Sequence, residues 1–505
     1  MSKSFFCLLI VIFITCKATI AQDQTDALRY GFIQYQGTAR GMGIGSALGS
    51  IGGDFSSLSV NPAGIGIYRS NELSFSPSFS INNNSSDYLG SSLSSNSSKL
   101  NLSHIGMVLT NAKKGNSYRR SNWKTASFAF GLNRLLTFKN EYSYTGKNYS
   151  NSLIERYAED FNALGGLNAN TLSAVNFAAY SAYQTYLIDR DFSIGGDSNK
   201  AKSYVPYEDG IQQTKKVFQS GGMNEFVISA GGNYKEKILL GATLGIDRIN
   251  YKRALQFNEE DISGNLSNNF KFMHFTENLR TEGTGVNLKI GAIFKPVLNF
   301  RFGIALHTPT AFDMKDSSSI TMESHTDSLL SNPISKYVQD TALVFNYTLY
   351  TPYKAIASAT VLFNTHGFLT ADLEYVDYSS MKYDYGTGYE NESAAINQVI
   401  KNSYKSAVNI RVGAEAKFKD WSVRAGYANY GSPDKKNPSY GGRTVLSGGI
   451  GCRGKYWFLD AAIIHSLQNT KELPYVLARS NANVQSAISS NNTTNVVLTY
   501  GWKFQ

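Results

Sequence analysis

Val496-Val-Leu-Thr-Tyr-Gly-Trp-Lys-Phe504-Gln505, the last ten residues of the chain, decide how the rest is read. Val496, Leu498, Tyr500, Trp502 and Phe504 point one way, and Val497, Thr499, Gly501, Lys503 and Gln505 point the other. Side chains alternate across a strand with period two, so one face is apolar and aromatic and the other small or polar. A soluble sheet could carry one such strand. Here the pattern repeats upstream. Phe300, Phe302, Ile304 and Leu306 oppose Arg301, Gly303, Ala305 and His307, and Ile410, Val412, Ala414 and Ala416 oppose Arg411, Gly413, Glu415 and Lys417. Trp421, Val423, Ala425 and Tyr427 oppose Ser422, Arg424, Gly426 and Ala428. Fourteen such segments run from residue 71 to the end. Lipid-out, lumen-in alternation predicts an all-β fold, a transmembrane antiparallel β-barrel of about 14 strands.

The connections alternate in length, which sets the sidedness. Short or basic ones fall at 112–122, 235–237, 295–299, 364–367, 418–420 and 453–456. Long ones fall at 83–98, 145–222, 257–283, 310–352, 379–404, 431–442 and 467–491. Short turns belong to the periplasm and long loops to the cell exterior. An even strand count then leaves the C-terminus on the periplasmic side. Two stretches, 317–323 and 341–350, look extended inside a long loop and could shift the count by one hairpin.

Composition agrees. The 505 residues are 42% hydrophobic with slightly negative mean hydropathy. No run reaches the ~18 apolar residues of a spanning helix. Phe5–Ile14 is a short apolar run after Lys3 and before Thr19-Ile20-Ala21, which reads as a signal peptide over 1–21 cleaved after Ala21. The rival, a lipoprotein signal at Cys16, lacks a good lipobox. Cleavage leaves Cys452 as the one cysteine, a small residue of the barrel wall, and excludes an intramolecular disulfide. The formal charge of +10, or +8 without Lys3 and Lys17, is scattered rather than striped. That favours anionic lipid or solute over nucleic acid as a partner.

No enzyme is expected. The six histidines are dispersed without metal-ligand spacing, and no nucleophile elbow, phosphate loop or CxxC motif is present, so neither metal nor cofactor is predicted. Charges on the small-residue faces, Asp247, Lys289, Arg301, Asp372, Glu374, Arg411, Glu415, Arg424 and Asp460, are expected in the lumen. They suit either a charged constriction or pairs that tie a plug to the wall. Loop 145–222 carries two helical patterns, Leu153, Ile154, Tyr157, Phe161, Leu164 and Leu172, Val175, Ala179, Tyr183, Leu187. Phe161, Tyr183 and Leu187 could line an apolar capture groove, or the helices could only pack on each other. Most of the 32 tyrosines and 29 phenylalanines belong to wall and interface girdles.

Residues 22–70 break the strand rhythm. Gly37–Asp54 is glycine-dense, and Phe55-Ser-Ser-Leu-Ser-Val-Asn61-Pro-Ala-Gly64-Ile-Gly-Ile-Tyr68 follows. Gly41, Gly43 and Gly45 lack the flanking strand and helix of a nucleotide loop. Such a segment ahead of the first strand reads as a hatch folded into the lumen of a barrel formed by 71–505. Gly37–Tyr68, with Asn61-Pro62-Ala63 just before strand one, resembles the hatch of the FadL/TodX family of outer-membrane transporters of long-chain fatty acids and aromatic hydrocarbons. Gly291–Pro296 with Phe302–Pro309, and Asp372–Tyr378 with Ser379-Ser380, resemble later stretches of that family. The resemblance implies a hatch-blocked barrel in a Gram-negative outer membrane. It implies loop capture of an apolar ligand, a pocket in the barrel, hatch movement, and lateral exit through a kinked strand. It makes Asn61, Pro62 and Ala63, with Gly64, hatch and gating residues. The family's ligand-pocket residues find no matching motif, and loop 83–98 and the 310–352 insertion depart from the pattern.

The expected function is passive, hatch-gated uptake of hydrophobic small molecules such as long-chain fatty acids. The expected partners are that ligand, outer-membrane lipids, and the barrel-assembly machinery acting on the C-terminal strand. Haem or a polar nutrient in the same barrel, and surface binding or adhesion through the long loops, are the alternatives.

Overall fold

The computed structural model describes residues 23–193, 195–265, 267–326, 334–338, 342–479 and 483–504. The expected signal peptide, Gln22 and Gln505 lie outside them. Among the described residues fourteen antiparallel strands form a closed barrel. They are β1 (Asn71–Tyr88), β2 (Ser91–Ala112), β3 (Trp123–Thr137, continued by Asn140–Asn148), β4 (Ile211–Tyr234) and β5 (Ile238–Asp261). Next come β6 (Phe272–Val297), β7 (Phe300–His307, continued by Ala311–His325), β8 (Leu343–Tyr350, continued by Lys354–Leu362) and β9 (Gly367–Asp377, continued by Lys382–Asp384). The last five are β10 (Ser406–Phe418), β11 (Trp421–Tyr430), β12 (Arg443–Arg453), β13 (Trp457–Glu472) and β14 (Ala487–Phe504). Each strand pairs with its neighbour in sequence, and β1 closes on β14 from Asn71↔Phe504 to Asp87↔Ile488. Closure removes the unpaired sheet edges that hydrocarbon cannot satisfy.

The alternation lands as the sequence predicts. Val496, Leu498, Tyr500 and Trp502 are exposed on the outer face with Phe300, Phe302, Ile304, Leu306, Leu369 and Leu373, while Val497, Thr499, Asp372 and Glu374 are buried inside. The breaks in β7 and β8 sit side by side at Thr308-Pro309 and Thr351-Pro352. A proline has no N–H for the ladder, and the flanking threonines bridge the gap, Thr310 N donating to Thr351 Oγ1 at 2.9 Å.

The long connections are shorter than expected, because strands rise past the apolar belt. The expected loop 83–98 is a hairpin with a two-residue turn at Leu89-Gly90, both at positive φ. Its Ser/Asn ladder hides from a hydrophobicity reading. Strands likewise intrude into 145–222, 257–283 and 467–491. Of the two stretches suspected to be extended, 317–323 belongs to β7, and 341–350 is strand from Leu343 in β8, residue 341 lying outside the described residues. In loop 149–210, helix Leu153–Ala163 matches the first helical pattern. The second is split into helices Ala169–Ala174 and Phe177–Gln184, because Asn176 starts a new helix by accepting from Ala179 N. Loop 379–404 holds an unforeseen helix, Glu390–Ser403.

At the periplasmic rim, Glu236 in the β4–β5 turn gathers Arg69 from the hatch–barrel junction at 2.5 Å, Asn233 at 2.8 Å, Tyr118 at 3.0 Å and Lys295 at 3.2 Å. Burial raises this carboxyl, but the Arg69 and Asn233 hydrogen bonds and the Arg69 charge outweigh it and hold the group down to about 2. An unfolded Glu titrates near ~4.3. The stabilisation is therefore complete above that value and lost as pH falls towards 2. The expected outcome is that wild type loses thermal stability over this interval, followed by the heat-modifiable gel shift, and that Glu236→Gln loses less. Equal acid sensitivity in both proteins counts against this role.

Candidate functional site: the hatch, its seats and the breach in the wall

Residues 23–70 fill the lumen. Helix α1 (Gln24–Gly31) stands in the extracellular half, where Tyr383 and Tyr404 donate to the Asp23 and Gln24 carbonyls, each at 3.1 Å. Tyr30 packs edge-on against Phe138 and Tyr251, and Arg29 pairs with Asp26 beneath the Tyr251 ring. The chain then descends through α2 (Ala39–Gly43) and two 3-10 turns, Phe55–Ser59 and Pro62–Ile67.

The Asn61-Pro62-Ala63-Gly64 stretch is buried at the foot of this descent. Asn61 caps the second turn by accepting from Ala63 N at 3.0 Å. Its amide spreads its donors over the carbonyls of Gly49 at 2.6 Å, Ile304 at 3.2 Å and Ala292 at 3.4 Å, so one side chain ties the hatch to itself and to β6 and β7. Pro62 at the first helical position costs no hydrogen bond, since that N–H would have no partner. Wall glycines let the hatch come this close. A Cβ on Gly291 would lie 1.9 Å from Asn61 Oδ1, one on Gly241 2.3 Å from the Pro62 carbonyl oxygen, and one on Gly106 2.4 Å from the Phe55 ring.

The lumen charges meet as pairs that engage the hatch. Arg40 of α2 reaches Glu415 at 3.3 Å, Glu415 takes Arg424 at 2.7 Å, and Arg424 reaches Asp460 at 2.6 Å. Asp372 accepts from Gly49 N at 3.1 Å and shares Arg411 with Glu374, and Arg301 donates to the Ile51 carbonyl at 2.7 Å. Lys289 pairs with Glu225, which accepts from Ser59 Oγ at 2.5 Å. Asp247 accepts from Asn287 and Thr310 beside them. Removing one partner of a buried pair strands a charge, which costs ~3–5 kcal/mol. The arrangement thus favours the hatch seated.

Of the expected capture residues, Phe161 and Leu187 are fully buried in the core of the loop cap, and Tyr183 is half-buried with its ring 6.2 Å from Phe161. The cap rests on Phe257, Phe275 and Met322. A ligand could reach Phe161 or Leu187 only if the helices part.

The wall is broken beside the hatch. The β2–β3 ladder runs from Ala112↔Thr125 to His104↔Asn133 and stops. Above it β3 bulges at Leu135, then restarts at Asn140 inside the barrel, behind β1. There Asn82 and Asn84 donate to the Lys139 and Glu141 carbonyls at 2.7 and 2.5 Å, standing in for the missing ladder. The last rung touches the hatch. Asn133 donates to Ser59 Oγ at 2.8 Å and contacts His104 Nδ1 at 3.1 Å, and the Phe55 ring lies 4.6 Å from that of His104. The clue in the sequence was Leu135-Leu136, adjacent apolar residues that break the period of two.

No family model matches the chain, and no curated protein matches it in sequence. Solved structures do match in shape. The chain is similar to a Pseudomonas aeruginosa FadL homologue at 14% identity and a TM-score of 0.55, covering 94% of this chain and 100% of that one. It is also similar to the deltaS2S3 mutant of the monoaromatic hydrocarbon channel TodX, at 13% identity and a TM-score of 0.52, covering 94% and 99%.

If Asn61 is the clamp, Asn61→Ala removes the amide that Gly49, Ile304 and Ala292 share, at ~1–3 kcal/mol for a buried group left unpaired, and Gly291→Ala pushes the same side chain away. Both variants are expected to fold as barrels and to expose residues 37–60 to protease at least tenfold faster than wild type. Unchanged cleavage in both would refute the clamp. Hatch, breach and strand order together give this chain the fold shared by the FadL homologue and TodX structures.

Proposed function

We propose that the protein is an outer-membrane channel for passive uptake of hydrophobic small molecules, long-chain fatty acids among them, with residues 23–70 as its gate. The observation that carries this reading is the pairing of a filled lumen with a breach in the wall. A straight pore for polar solutes is stopped by the hatch, whereas an apolar molecule that reaches the lumen has a sideways path between β2 and β3 into the lipid. The aromatic upper lumen around α1, with Tyr30, Phe138, Tyr251, Tyr347 and Tyr383, suits an apolar guest. The Asn61 clamp and the buried ion pairs make hatch movement the costly step. The extracellular cap, with Phe161, Tyr183 and Leu187, would receive the ligand after its helices separate. The FadL and TodX likenesses favour transport over catalysis.

Two measurements test this. In planar bilayers, deletion of 37–60 is expected to raise single-channel conductance from near zero to a steady pore. Persistent closure of the folded deletion barrel would sink the gate. In a Gram-negative host lacking its own long-chain fatty acid importer, expression is expected to restore oleate uptake several-fold over a vector control. Uptake no greater than the control's would overturn the substrate class.

A further inference from the structure

The breach carries a cation that the uptake reading does not use. Arg134 is the residue after the last β2–β3 rung, pairs in register with Asn224 of β4, and lies on the outward side of β3. It is only 8% exposed. Its Nε donates to Thr137 Oγ1 at 2.8 Å and its Nη2 to the Gly221 carbonyl at 3.1 Å. The guanidinium lies where a side chain on Gly222 would stand, 2.1 Å from the Cβ position, so the wall is cut back to receive it. Among the described residues no carboxylate pairs with Arg134, and Nη1 makes no hydrogen bond. Every other buried arginine named above has a carboxylate or a hatch carbonyl as partner.

Its neighbours add to the charge. Lys99, on the inner face of β2, stands close enough to Arg134 and Lys139 to be repelled by both. Lys139 is paired with Glu141, which leaves Arg134 and Lys99 uncompensated. On the stretch of β2 that has no ladder to β3, Ser97 Oγ and Asn101 Oδ1 are buried without hydrogen-bond partners, as is Asn224 Oδ1 beside Arg134. Leu100 and Leu102 on β2 and Phe226 on β4 are exposed on the outer face and offer an apolar track beside these groups. A desolvated guanidinium with free donors, unsatisfied polar groups and an adjoining apolar surface together describe a seat for an anionic headgroup on a long tail.

We propose that Arg134, helped by Lys99, holds the carboxylate of a long-chain amphiphile at the breach while its tail lies along the outer wall. The inference rests on the uptake reading and narrows its substrate from any hydrophobic molecule to one with an acidic head. The same seat would also suit the anionic head of a resident membrane lipid, and the test separates the two.

Binding of oleate and of uncharged oleyl alcohol is measured at pH 8 on the full barrel in detergent. Wild type, Arg134→Gln and Arg134→Lys are compared after each shows the heat-modifiable shift. Wild type is expected to bind oleate at least tenfold more tightly than the alcohol. Arg134→Gln should narrow that ratio to within about twofold with alcohol binding unchanged, and Arg134→Lys should keep part of it. No acid preference in wild type, or one that survives Arg134→Gln, overturns the proposal. Native mass spectrometry supplies the other arm. An anionic lipid carried by wild type and absent from Arg134→Gln, with equal oleate preference in both, assigns the seat to resident lipid and also overturns it. Binding of neither probe by wild type would instead count against the uptake reading itself.

Discussion

The backbone ladder governs this molecule. In hydrocarbon every N–H and C=O needs a protein partner, so a chain that crosses as strands must close on itself. Here β1 meets β14 along most of its length, and that seam makes an inside and an outside from one alternating pattern. The departures from the ladder are handled locally. Pro309 and Pro352 interrupt β7 and β8 at the same height, where paired threonines exchange hydrogen bonds across the gap. At β3 the solution differs. The strand leaves the wall, and asparagine amides from β1 satisfy its carbonyls. The ladder is thus left open between β2 and β3 above the His104↔Asn133 rung, the gap that the proposed uptake would use.

The interior follows from closure. A barrel of this size leaves a lumen too wide for wall side chains to fill, and the hatch fills it. Two devices let a coil-like segment pack there. Lumen-facing glycines admit its backbone at distances that any Cβ would forbid. Buried arginines and carboxylates supply partners for groups that helix or sheet would otherwise satisfy, as where Asp372 receives Gly49 N and Arg301 reaches Ile51 O. The hatch answers wall carboxylates with Arg40, Arg69 and the Ser59 hydroxyl, and meets other wall charges with backbone groups. Its sequence looks featureless because much of its specificity is written in the wall.

That division explains what could be read from the sequence. The strand faces were legible because lipid on one side and a polar lumen on the other impose opposite demands on adjacent residues. The lumen charges were legible for the same reason, and Asn61-Pro62-Ala63 through its resemblance. Where both faces of a strand are polar, the code disappears. Asn84, Ser86 and Ser97 therefore read as a loop, though they lie buried on the inner face of a regular hairpin. Helix Glu390–Ser403 was hidden by a small apolar stripe, with Ile396 and Ile400 turned to the core. Phe161 was rightly seen on a helix, whereas Leu187 lies three residues beyond the end of one, and the pattern cannot tell a face that greets a ligand from one that packs on Phe275 and Met322. Arg134 was missed because it lies where the alternation itself fails.

The last rung of the β2–β3 ladder links the two halves of the mechanism. Asn133 is held from the lumen by Ser59, and Ser59 in turn is held by Glu225, whose charge is balanced by Lys289. Phe55 rests on His104 and fills the space over Gly106 and Gly131. The hatch segment 55–59 therefore backs the rung at which the breach begins. Moving it away would strip Asn133 of its acceptor and leave two glycines bare on the lumen side. The ladder below would then have less to hold it shut. On the gating proposed above, unseating the hatch and widening the breach would be one event, because the same residues anchor the plug and back the sill of the breach.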